Sequence, residues 1–397
     1  MNLQQQDKEY IANTYARFPL EIISGKGALL YDEQGKEYID LGSGIAVNTF
    51  GAADEEWAKA ISNQATKLQH ISNLYYTSPC VQLAQMLCQK TGMKKVFFGN
   101  SGAEANECAI KAARLYAAKN KGEDYFTIVT LENSFHGRTL TTLAATGQEV
   151  FHKDFTPLTP GFIHVPANDC QALKEAVASH KCAGILLEPV QGEGGVVPLT
   201  KEFVQTAREL CNKENLVLMF DEVQTGNGRT GSLYAYMQFG VTPDVLSTAK
   251  GLAGGLPLGA TLLGEKLQDI FTPGSHGSTF GGNPVCCAGA ISVLSRLTPE
   301  FLAEVREKSQ YIFETLQNAK GVKSVTGMGL MIGIESVRDA SGIVADCMAN
   351  GVLVLKAKNK VRLLPPLSIT KEQLLKAIDI LKNALSKEDE CNGRKKD

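Results

Sequence analysis

The chain has 397 residues, 44% of them hydrophobic, which is enough for a large domain and a smaller one with sizeable cores. Its 40 basic and 42 acidic residues give a formal net charge of -2, so it lacks the basic excess of a nucleic-acid-binding protein. The 10 cysteines include no C-x-x-C pair, which excludes the usual ligand spacing of zinc ribbons and dithiol redox sites, and we expect no bound metal.

The N-terminal sequence MNLQQQDKEY lacks the basic start and the apolar stretch of a secretory signal. No apolar run reaches the roughly 18 residues that a membrane span needs. We therefore expect a cytoplasmic protein that does not associate with membranes. Residues 1–45 are strand-like and aromatic, with a hairpin signal at residues 31–38, and we expect them to pack with the C-terminal part of the chain.

Residues 46–283 are predicted to form a large domain. Short, continuously apolar runs alternate there with segments of helical period, such as residues 103–116 and 201–212. The runs are KKVFF, YFTIVTL, AGILLEPV, NLVLMFDE, DVLSTAK and GATLLG. This alternation indicates an α/β fold with a mainly parallel central sheet, in which ligands bind at the carboxyl ends of the strands.

Residues 284–385 are predicted to form a smaller α+β domain. Long amphipathic helices are expected at residues 300–318 and 371–385, around short apolar runs at residues 329–335 and 351–355. The tail of residues 386–397 is charged and poor in apolar residues, so we expect it to fray.

Asp221 ends the apolar run LVLMFD, and common nucleotide-binding motifs do not account for it. An acid after a buried strand can hold Mg²⁺ beside a nucleotide, but the chain has no G-x-x-x-x-G-K-[ST] loop. Gly226, Gly228 and Gly231 match G-x-G-x-x-G, yet the segment DEVQT separates them from the strand, which is not the spacing of a dinucleotide site. A G-x-S-x-G nucleophile elbow is also absent, which argues against a hydrolase.

The segment KKVFFGNSGAEANECAIKAARLY, residues 94–116, predicts a strand, a turn of small residues and a helix. The free N–H groups at the start of such a helix, together with the Ser101 hydroxyl, suit a single phosphate group. The alternative is an ordinary N-cap, in which Ser101 or Asn100 satisfies the helix backbone. The segment alone does not decide between them.

Lys250 lies between the run DVLSTA and the glycine-rich turn GLAGGLPLGA. Taken alone, this position favours an ordinary surface lysine. The small residues around it leave room for a flat ligand, however, and Asp221 ends a neighbouring predicted strand. A phosphate-binding helix, a carboxylate and a lysine at one edge of a sheet are the groups that hold pyridoxal phosphate.

Motifs spread over nearly the whole chain support that interpretation. The sequence resembles the class III, or ω-amino, aminotransferases of the fold type I pyridoxal phosphate superfamily, and within them most closely the enzymes that act on N-acetylornithine. The motifs, in chain order, are GALLYD, GNSGAEANE, NSFHGRT, EPVQGEGG, FDEVQTGNGRTG, STAKGLAGGLPLGA, GSHGSTFGGNP and VRLLPPL. One departure is GAADEEW at residues 51–57, where the family usually has a histidine-containing G-H-x-H-P string.

The resemblance implies that pyridoxal 5'-phosphate is the cofactor. Lys250 would bind it covalently and transfer protons, and Asp221 would face its pyridine nitrogen. The other cofactor-binding residues that the resemblance implies are Ser101, Gly102 and Ala103 at the phosphate, Phe135 stacked on the ring, and Val223 and Gln224 against the ring and its phenolic oxygen.

The resemblance also implies the substrate and partner contacts. Arg138 would hold the substrate carboxylate farthest from the reacting amine. Arg362 would bind the α-carboxylate of glutamate, and Glu193 would pair with Arg362 when that carboxylate is absent. Ser278 and Thr279 would reach the cofactor phosphate of the other subunit, which implies a homodimer with shared active sites.

The implied reaction transfers the δ-amino group of N-acetylornithine to 2-oxoglutarate, in arginine biosynthesis. Related enzymes for free ornithine carry a tyrosine in the segment matching residues 42–48, where this chain has no aromatic residue. Succinyl-diaminopimelate stays open as a substrate. A lyase or decarboxylase would not need both Arg138 and Arg362, and a non-catalytic homologue would be expected to lack Lys250 or Asp221.

Overall fold

The computed structural model describes residues 2–387, so residues 388–397 of the tail that we expect to fray lie outside the described part. The strands in chain order are β1 (Ile22–Lys26), β2 (Leu29–Asp32), β3 (Glu37–Asp40), β4 (Lys95–Gly99), β5 (Thr127–Leu131), β6 (Phe162–Val165), β7 (Cys182–Leu187), β8 (Val190–Gln191), β9 (Val197–Pro198), β10 (Val217–Asp221), β11 (Val245–Thr248), β12 (Gly259–Leu263), β13 (Val322–Met328), β14 (Met331–Ser336), β15 (Val352–Leu353), β16 (Leu355–Ala357) and β17 (Lys360–Leu363).

The helices alternate with these strands over most of the chain. In chain order they are α1 (Leu3–Tyr10), α2 (Ser43–Ala46), α3 (Glu55–Ala65), α4 (Ser78–Thr91), α5 (Gly102–Asn120), α6 (Leu140–Ala145), α7 (Cys170–Ser179), α8 (Lys201–Lys213), α9 (Pro284–Arg296), α10 (Pro299–Leu316), α11 (Ala340–Ala349) and α12 (Lys371–Ser386). Short 3-10 turns lie at Glu149–Phe151, Ala235–Gln238, Lys250–Ala253 and Glu265–Leu267. Within residues 2–387 no single helix is long and apolar enough to cross a membrane, although the bent pair α9 and α10 together has that length and composition.

A seven-stranded sheet forms the centre of the fold, in the order β4-β12-β11-β10-β7-β5-β6. Strands β11, β10, β7, β5 and β6 are parallel neighbours, whereas β12 pairs antiparallel with both β11 and β4. The mainly parallel sheet predicted from the apolar runs is therefore confirmed. Each predicted run contains a strand, and β7 and β10 are buried along their whole length because helices cover both faces.

The strand β6 was not among the predicted runs. It lies at the edge of the sheet, pairs only with β5, and is only partly buried, so FIHV lacks the long apolar signature of its neighbours. Helix α1 was also not predicted. None of its residues is buried, so it carries no apolar face for a sequence pattern to reveal, and an Asn2 capping box supports it instead.

Three smaller sheets accompany the central one, and the smallest is the antiparallel pair of β8 and β9. Strands β13, β14, β17 and β16 form an antiparallel sheet in the C-terminal part. Strands β1, β2 and β3 form an antiparallel meander, and β3 pairs in parallel with β15. The N-terminal strands thus hydrogen-bond to a strand from the C-terminal part of the chain. The domain limits proposed from the sequence stay a prediction.

The G-x-G-x-x-G segment is a packed connection in this fold. A Cβ on Gly228, whose φ is +87°, would lie 2.9 Å from Leu367 Cδ1. The buried guanidinium of Arg229 donates hydrogen bonds to the carbonyl oxygens of Leu330 (3.1 Å) and Pro365 (2.5 Å). The glycine spacing therefore serves close packing of the β10 loop against the C-terminal part of the chain.

Candidate active site

A cavity of about 480 Å³ opens at the carboxyl edge of the central sheet. Turns that follow β4, β5, β7, β10 and β11 meet there, as expected where parallel strands end. The predicted site residues that line this cavity are Ser101, Gly102, Ala103, Phe135, Arg138, Glu193, Asp221, Val223, Gln224 and Lys250. The fold therefore brings together side chains that are up to about 150 residues apart in the sequence.

Asp221 is buried at the floor of the cavity, and its carboxylate has three hydrogen-bond donors. Oδ2 accepts from Nδ2 of Asn106 at 2.7 Å and lies 2.8 Å from Nδ1 of His136. Oδ1 accepts only the backbone N–H of Val223, at 3.0 Å. Since a carboxylate oxygen has two lone pairs, Oδ1 can accept one more donor, such as a protonated ring nitrogen in the cavity.

The sequence analysis did not single out Asn106 and His136, which are partners of Asp221, or Ser247, which is a partner of Asn106. The amide of Asn106 also donates to the carbonyl of His136 at 2.8 Å, and its oxygen accepts the Ser247 hydroxyl at 2.6 Å. These contacts fix which way the amide points. Both Asn106 and His136 lie inside the quoted motifs GNSGAEANE and NSFHGRT, which is the signal that could have indicated them.

Lys250 follows β11 and lines the cavity beside Asp221. Its φ of +45° is rare for a residue with a side chain and marks local strain of the kind found at functional sites. Burial lowers the pKa of its ammonium below the ordinary value, and the carboxylates of Asp221, Glu193 and Glu188 oppose that shift. A lysine with a lowered pKa is a better nucleophile and proton carrier than an exposed one.

The N-terminus of α5 forms another wall of the cavity. Ser101 is the N-cap, and its hydroxyl accepts the backbone N–H of Glu104 at 3.2 Å and donates to the Glu104 carboxylate at 2.9 Å. The ordinary capping role considered for Ser101 is therefore present. The first N–H groups of α5, at Gly102 and Ala103, face the same cavity, and such groups suit an anion.

Small and aromatic residues also line the cavity. A Cβ on Gly102 would lie 2.7 Å from Val223 Cγ1, so the absence of a side chain lets Val223 reach this point. Phe135 lines the same cavity, and its ring packs 5.9 Å from that of Phe151. The Arg138 guanidinium lies over both rings, 5.5 Å and 4.1 Å from their centroids, at the exposed rim.

Glu193 and Arg362 form an ion pair beside the cavity, with Oε1 and Nη1 2.6 Å apart. Arg362 comes from β17 and its side chain is only 3% exposed, whereas the Glu193 side chain is 31% exposed. Burial opposes ionisation of Glu193, but the charge and hydrogen bond of Arg362, with smaller effects of Lys250 and Gln224, together hold the pKa of the carboxyl below its ordinary value. Arg362 Nε is buried without a hydrogen-bond partner among the described residues, so the guanidinium retains a donor for a carboxylate.

Ser278 and Thr279 do not line the cavity of their own chain. The Ser278 hydroxyl accepts hydrogen bonds from Nδ2 of Asn100 at 3.1 Å and from the backbone N–H of Gly281 at 3.0 Å. Thr279 is exposed. Their predicted contact with the other subunit stays a prediction.

The chemistry of this donor set fits pyridoxal phosphate. A helix N-terminus suits its phosphate, the Asp221 carboxylate suits its pyridine nitrogen, and the amine of Lys250 suits its aldehyde. Gly102 has no room for a side chain beside Val223, and both residues line the same cavity as Phe135. The residues present therefore match the group that the sequence analysis expected.

Comparisons with known proteins agree with this geometry. The family model for "Aminotransferase class-III" matches residues 10–385. The acetylornithine aminotransferase of Haemophilus ducreyi is 50% identical over 386 residues, which are 97% of this chain and 98% of that protein.

Solved structures of aminotransferases have the same fold. The structure of N-acetylornithine aminotransferase from Stenotrophomonas maltophilia matches with a TM-score of 0.84 and 34% identity, covering 97% of this chain and 98% of its own. An ornithine aminotransferase from Toxoplasma gondii, crystallised with oxidised glutathione and described as having partial occupancy of PLP at its active site, matches with a TM-score of 0.92 and 31% identity over 96% and 93% of the two chains. The fold is that of the fold type I transferases, and the chain belongs to the class III aminotransferase family.

Proposed function

We propose that this protein transfers the δ-amino group of N2-acetyl-L-ornithine to 2-oxoglutarate. The products are N-acetyl-L-glutamate 5-semialdehyde and L-glutamate, and the step belongs to arginine biosynthesis. The observation that carries the proposal is the Glu193–Arg362 pair beside Lys250, because it allows one cavity to serve substrates with different numbers of carboxylates. The name of the Haemophilus ducreyi relative, which is 50% identical, supports the same substrate.

The cofactor in this proposal is pyridoxal 5'-phosphate. When bound, it supplies an aldehyde that combines with amines and a ring that accepts electrons from the substrate carbon. Ser101, Gly102 and Ala103 would hold its phosphate, and Phe135 and Val223 would hold its ring. Gln224, which also lines the cavity, would contact its phenolic oxygen.

Lys250 and Asp221 carry the chemistry. Lys250 would bind the aldehyde of the cofactor, and its amine would take up and return a proton at the reacting carbon of the substrate, as a general base and acid. The lowered pKa of its ammonium suits both roles. Asp221 would keep the pyridine nitrogen protonated, and Asn106 and His136 hold its carboxylate in place through Oδ2, which leaves Oδ1 with only the Val223 N–H.

Three charged residues divide the recognition of the two substrates. Arg138, at the rim, holds the carboxylate that lies farthest from the reacting amine in either substrate. Arg362 binds the α-carboxylate of glutamate through donors that include its unpaired Nε. With N-acetylornithine, whose reacting carbon has no carboxylate, Glu193 stays on Arg362 and prevents an uncompensated buried charge.

The segment at the cavity entrance favours an acylated amine over a free one. Val47 lines the cavity, and none of the residues 42–48 is aromatic or charged. A free α-ammonium group would therefore find no carboxylate or aromatic ring in this segment, whereas an acyl amide leaves no charge to satisfy. Succinyl-diaminopimelate meets the same requirement and is the second substrate candidate.

The active unit in this proposal is a homodimer. The family resemblance implies that Ser278 and Thr279 complete the phosphate site of the other subunit, and their position outside the cavity of their own chain is compatible with that role. Large apolar side chains near this loop are exposed, with Leu74 at 86%, Tyr76 at 99% and Phe280 at 60%. Such a group of exposed apolar side chains is typical of a surface that packs against another protein.

The experiment that tests the function is a comparison of four amino donors with 2-oxoglutarate as acceptor. We expect kcat/KM to be highest for N-acetylornithine and at least about tenfold lower for ornithine and γ-aminobutyrate, the effect of about 1.4 kcal/mol in transition-state binding. If kcat/KM is higher for succinyl-diaminopimelate, that compound is the preferred substrate, and the proposed mechanism is unchanged. Preference for free ornithine would contradict the proposal.

A further inference from the structure

Glu188 is a buried acid of the cavity that has no role in the function proposed above. It follows β7 directly, and Leu187 of β7 pairs with Phe220 of β10. Glu188 therefore stands beside Asp221 on the neighbouring strand, at the carboxyl edge of the sheet. It lines the cavity and is only 5% exposed.

The carboxylate of Glu188 bridges two different walls of the cavity. Oε1 accepts the backbone N–H of Phe135 at 2.9 Å, in the segment that follows β5. Oε2 accepts the backbone N–H of Gly192 at 3.4 Å, in the turn that carries Glu193. A Cβ on Gly192 would lie 2.4 Å from the Gln224 side chain, so this turn is packed tightly on its other side.

Charged and titratable groups surround Glu188 from three strand ends. The pKa of Glu188 is raised to about 7, mainly by burial and also by the charge of Asp221, against the opposing effects of His136 and the two backbone N–H groups. Lys250, which follows β11, also faces this carboxyl. A carboxylate kept in such a place needs its hydrogen bonds, since an ionised group buried without them is costly.

We propose that Glu188 is a positioning residue, which ties the turn of Gly192 and Glu193 to the Phe135 wall and thereby keeps Glu193 against Arg362. The inference rests on the proposed function, in which the Glu193–Arg362 pair is needed for N-acetylornithine and must open for glutamate. Without the bond from Glu188 to Gly192, the turn moves more freely. The N-acetylornithine half-reaction, which needs the closed Glu193–Arg362 pair, then slows more than the glutamate half-reaction, which needs the pair open.

The variant Glu188→Gln tests this bridge with almost no change in volume. The two backbone N–H groups bond to different oxygens of the carboxylate, so in a carboxamide one of them meets the oxygen and the other meets the NH2 group, which cannot accept from it. The shorter bond, to Phe135, is the one we expect to survive. The predicted effect is therefore local to the Gly192 turn.

Glu222 offers a matched control. It follows Asp221 at the same edge of the sheet, is fully buried, and accepts hydrogen bonds from the backbone N–H groups of Ala235 and Tyr236 and from the Thr225 hydroxyl. Burial raises its pKa to about 7 as well. Glu222 does not line the cavity, so Glu222→Gln reports the general cost of neutralising a buried, hydrogen-bonded carboxylate.

Hydrogen–deuterium exchange of the purified protein is the first readout, because it does not depend on the substrate. We expect Glu188→Gln to speed exchange in peptides covering residues 190–195 and to leave residues 133–137 close to wild type, while Glu222→Gln changes neither. Unchanged exchange at residues 190–195 in Glu188→Gln overturns the proposal. The proposed function is tested separately, by the amino-donor preference of the wild-type protein. The function and the role of Glu188 can therefore be contradicted independently.

Single-turnover rates of the two half-reactions are the second readout. In Glu188→Gln we expect the N-acetylornithine half-reaction to slow about tenfold more than the glutamate half-reaction, the effect of one hydrogen bond to a charged group. Equal slowing of both, as we expect for Glu222→Gln, would show a general structural role only.

The wild-type protein provides a test if Glu188→Gln does not fold. Protonation of Glu188 weakens its acceptance of the Gly192 N–H, so the ratio of the N-acetylornithine rate to the glutamate rate should fall as the pH drops from 8 to 6, through the pKa of about 7. Asp221, His136 and Lys250 act in both half-reactions, and their effects largely cancel in the ratio. A constant ratio over this range contradicts the proposal.

Discussion

At the scale of single residues, the carboxylate of Asp221 is the best-defined feature of the site. Two donors, Asn106 and His136, converge on Oδ2, and one backbone N–H reaches Oδ1. The position of Asp221 could be predicted because it ends an apolar strand. The hydrogen bond from the Ser247 hydroxyl to the Asn106 oxygen could not be predicted. The two residues are 141 positions apart, and a contact of that range follows from strand order and not from a local sequence pattern.

Lys250→Ala tests the residue that we expect to bind the cofactor. Borohydride should attach pyridoxal phosphate covalently to the wild-type protein and not to this variant, since no other amine lies at that point of the cavity in the part of the chain that the structure describes. Transamination should fall by more than about 100-fold, because general acid–base catalysis alone contributes that much. Mass spectrometry of the reduced protein and a steady-state assay measure the two effects.

Lys266→Ala is the control for that experiment. Burial also lowers the pKa of Lys266, but its ammonium donates to the Leu216 carbonyl at 2.6 Å and lies outside the cavity. We expect this variant to keep the covalent label. If Lys250→Ala is labelled as strongly as the wild-type protein, Lys250 is not the residue that binds the cofactor covalently.

At the scale of elements, helix α5 combines a structural and a proposed binding role at one end. Ser101 caps the helix through the Glu104 N–H, and the same first turn faces the cavity. The two interpretations left open by the sequence are therefore compatible, because capping uses the serine oxygen as an acceptor and leaves the N–H groups of Gly102 and Ala103 to an anion.

Ser101→Ala separates these roles when it is compared with Thr200→Ala. Thr200 is the N-cap of α8, where its hydroxyl accepts the Phe203 N–H at 3.2 Å, and it lies outside the cavity. Each variant should lose about 1 kcal/mol of unfolding free energy, the usual cost of a missing cap. Only Ser101→Ala should also bind pyridoxal phosphate more weakly, measured by titrating the apoprotein.

Equal cofactor affinity in these two variants would mean that Ser101 only caps the helix.

The elements that could be predicted are those with buried, periodic apolar residues. Strand β10 and helix α8 follow this rule, since β10 is buried throughout and α8 buries one face through Phe203, Val204, Ala207 and Cys211. Strand β6 and helix α1 bury too little for a sequence pattern to reveal them. The pairing of β3 with β15 joins distant parts of the chain. The sequence predicts that the N-terminal segment packs with the C-terminal part, but not which strands pair.

At the scale of the whole molecule, the C-terminal part supplies Arg362, which pairs with Glu193 of the cavity lining. Arg362 lies on β17, outside the central sheet, and reaches Glu193 in the turn after β8. The buried Arg229 anchors the loop after β10 to the carbonyl oxygens of Leu330 and Pro365 in the C-terminal part. Substrate recognition therefore depends on how these two parts of the chain pack together.

Thr279→Ala tests the proposed sharing of sites between subunits. This exposed residue lies outside the cavity of its own chain, so its loss should weaken pyridoxal phosphate binding only if it reaches a partner's site. Mixing Thr279→Ala with the inactive Lys250→Ala should restore activity after subunit exchange, because a hybrid dimer contains one site with both Lys250 and Thr279 intact.

An absence of activity in a verified hybrid, or wild-type cofactor affinity in Thr279→Ala alone, would contradict a shared phosphate site.

The central claim is that the Glu193–Arg362 pair lets one cavity accept N-acetylornithine and glutamate in turn. Glu193→Ala leaves Arg362 uncompensated, which helps to bind the α-carboxylate of glutamate and harms the substrate that lacks it. Arg362→Ala should have the opposite effect, and Arg138→Ala should slow both half-reactions. Arg362→Ala is the control for the direction of the change, and Arg138→Ala is the control for a loss that affects both substrates.

The most direct measurement is the single-turnover rate of each half-reaction in Glu193→Ala. We predict that the N-acetylornithine half-reaction slows at least about tenfold, as expected for the loss of a charged hydrogen bond, while the glutamate half-reaction stays at or above the wild-type rate. Equal losses in the two half-reactions would contradict the account.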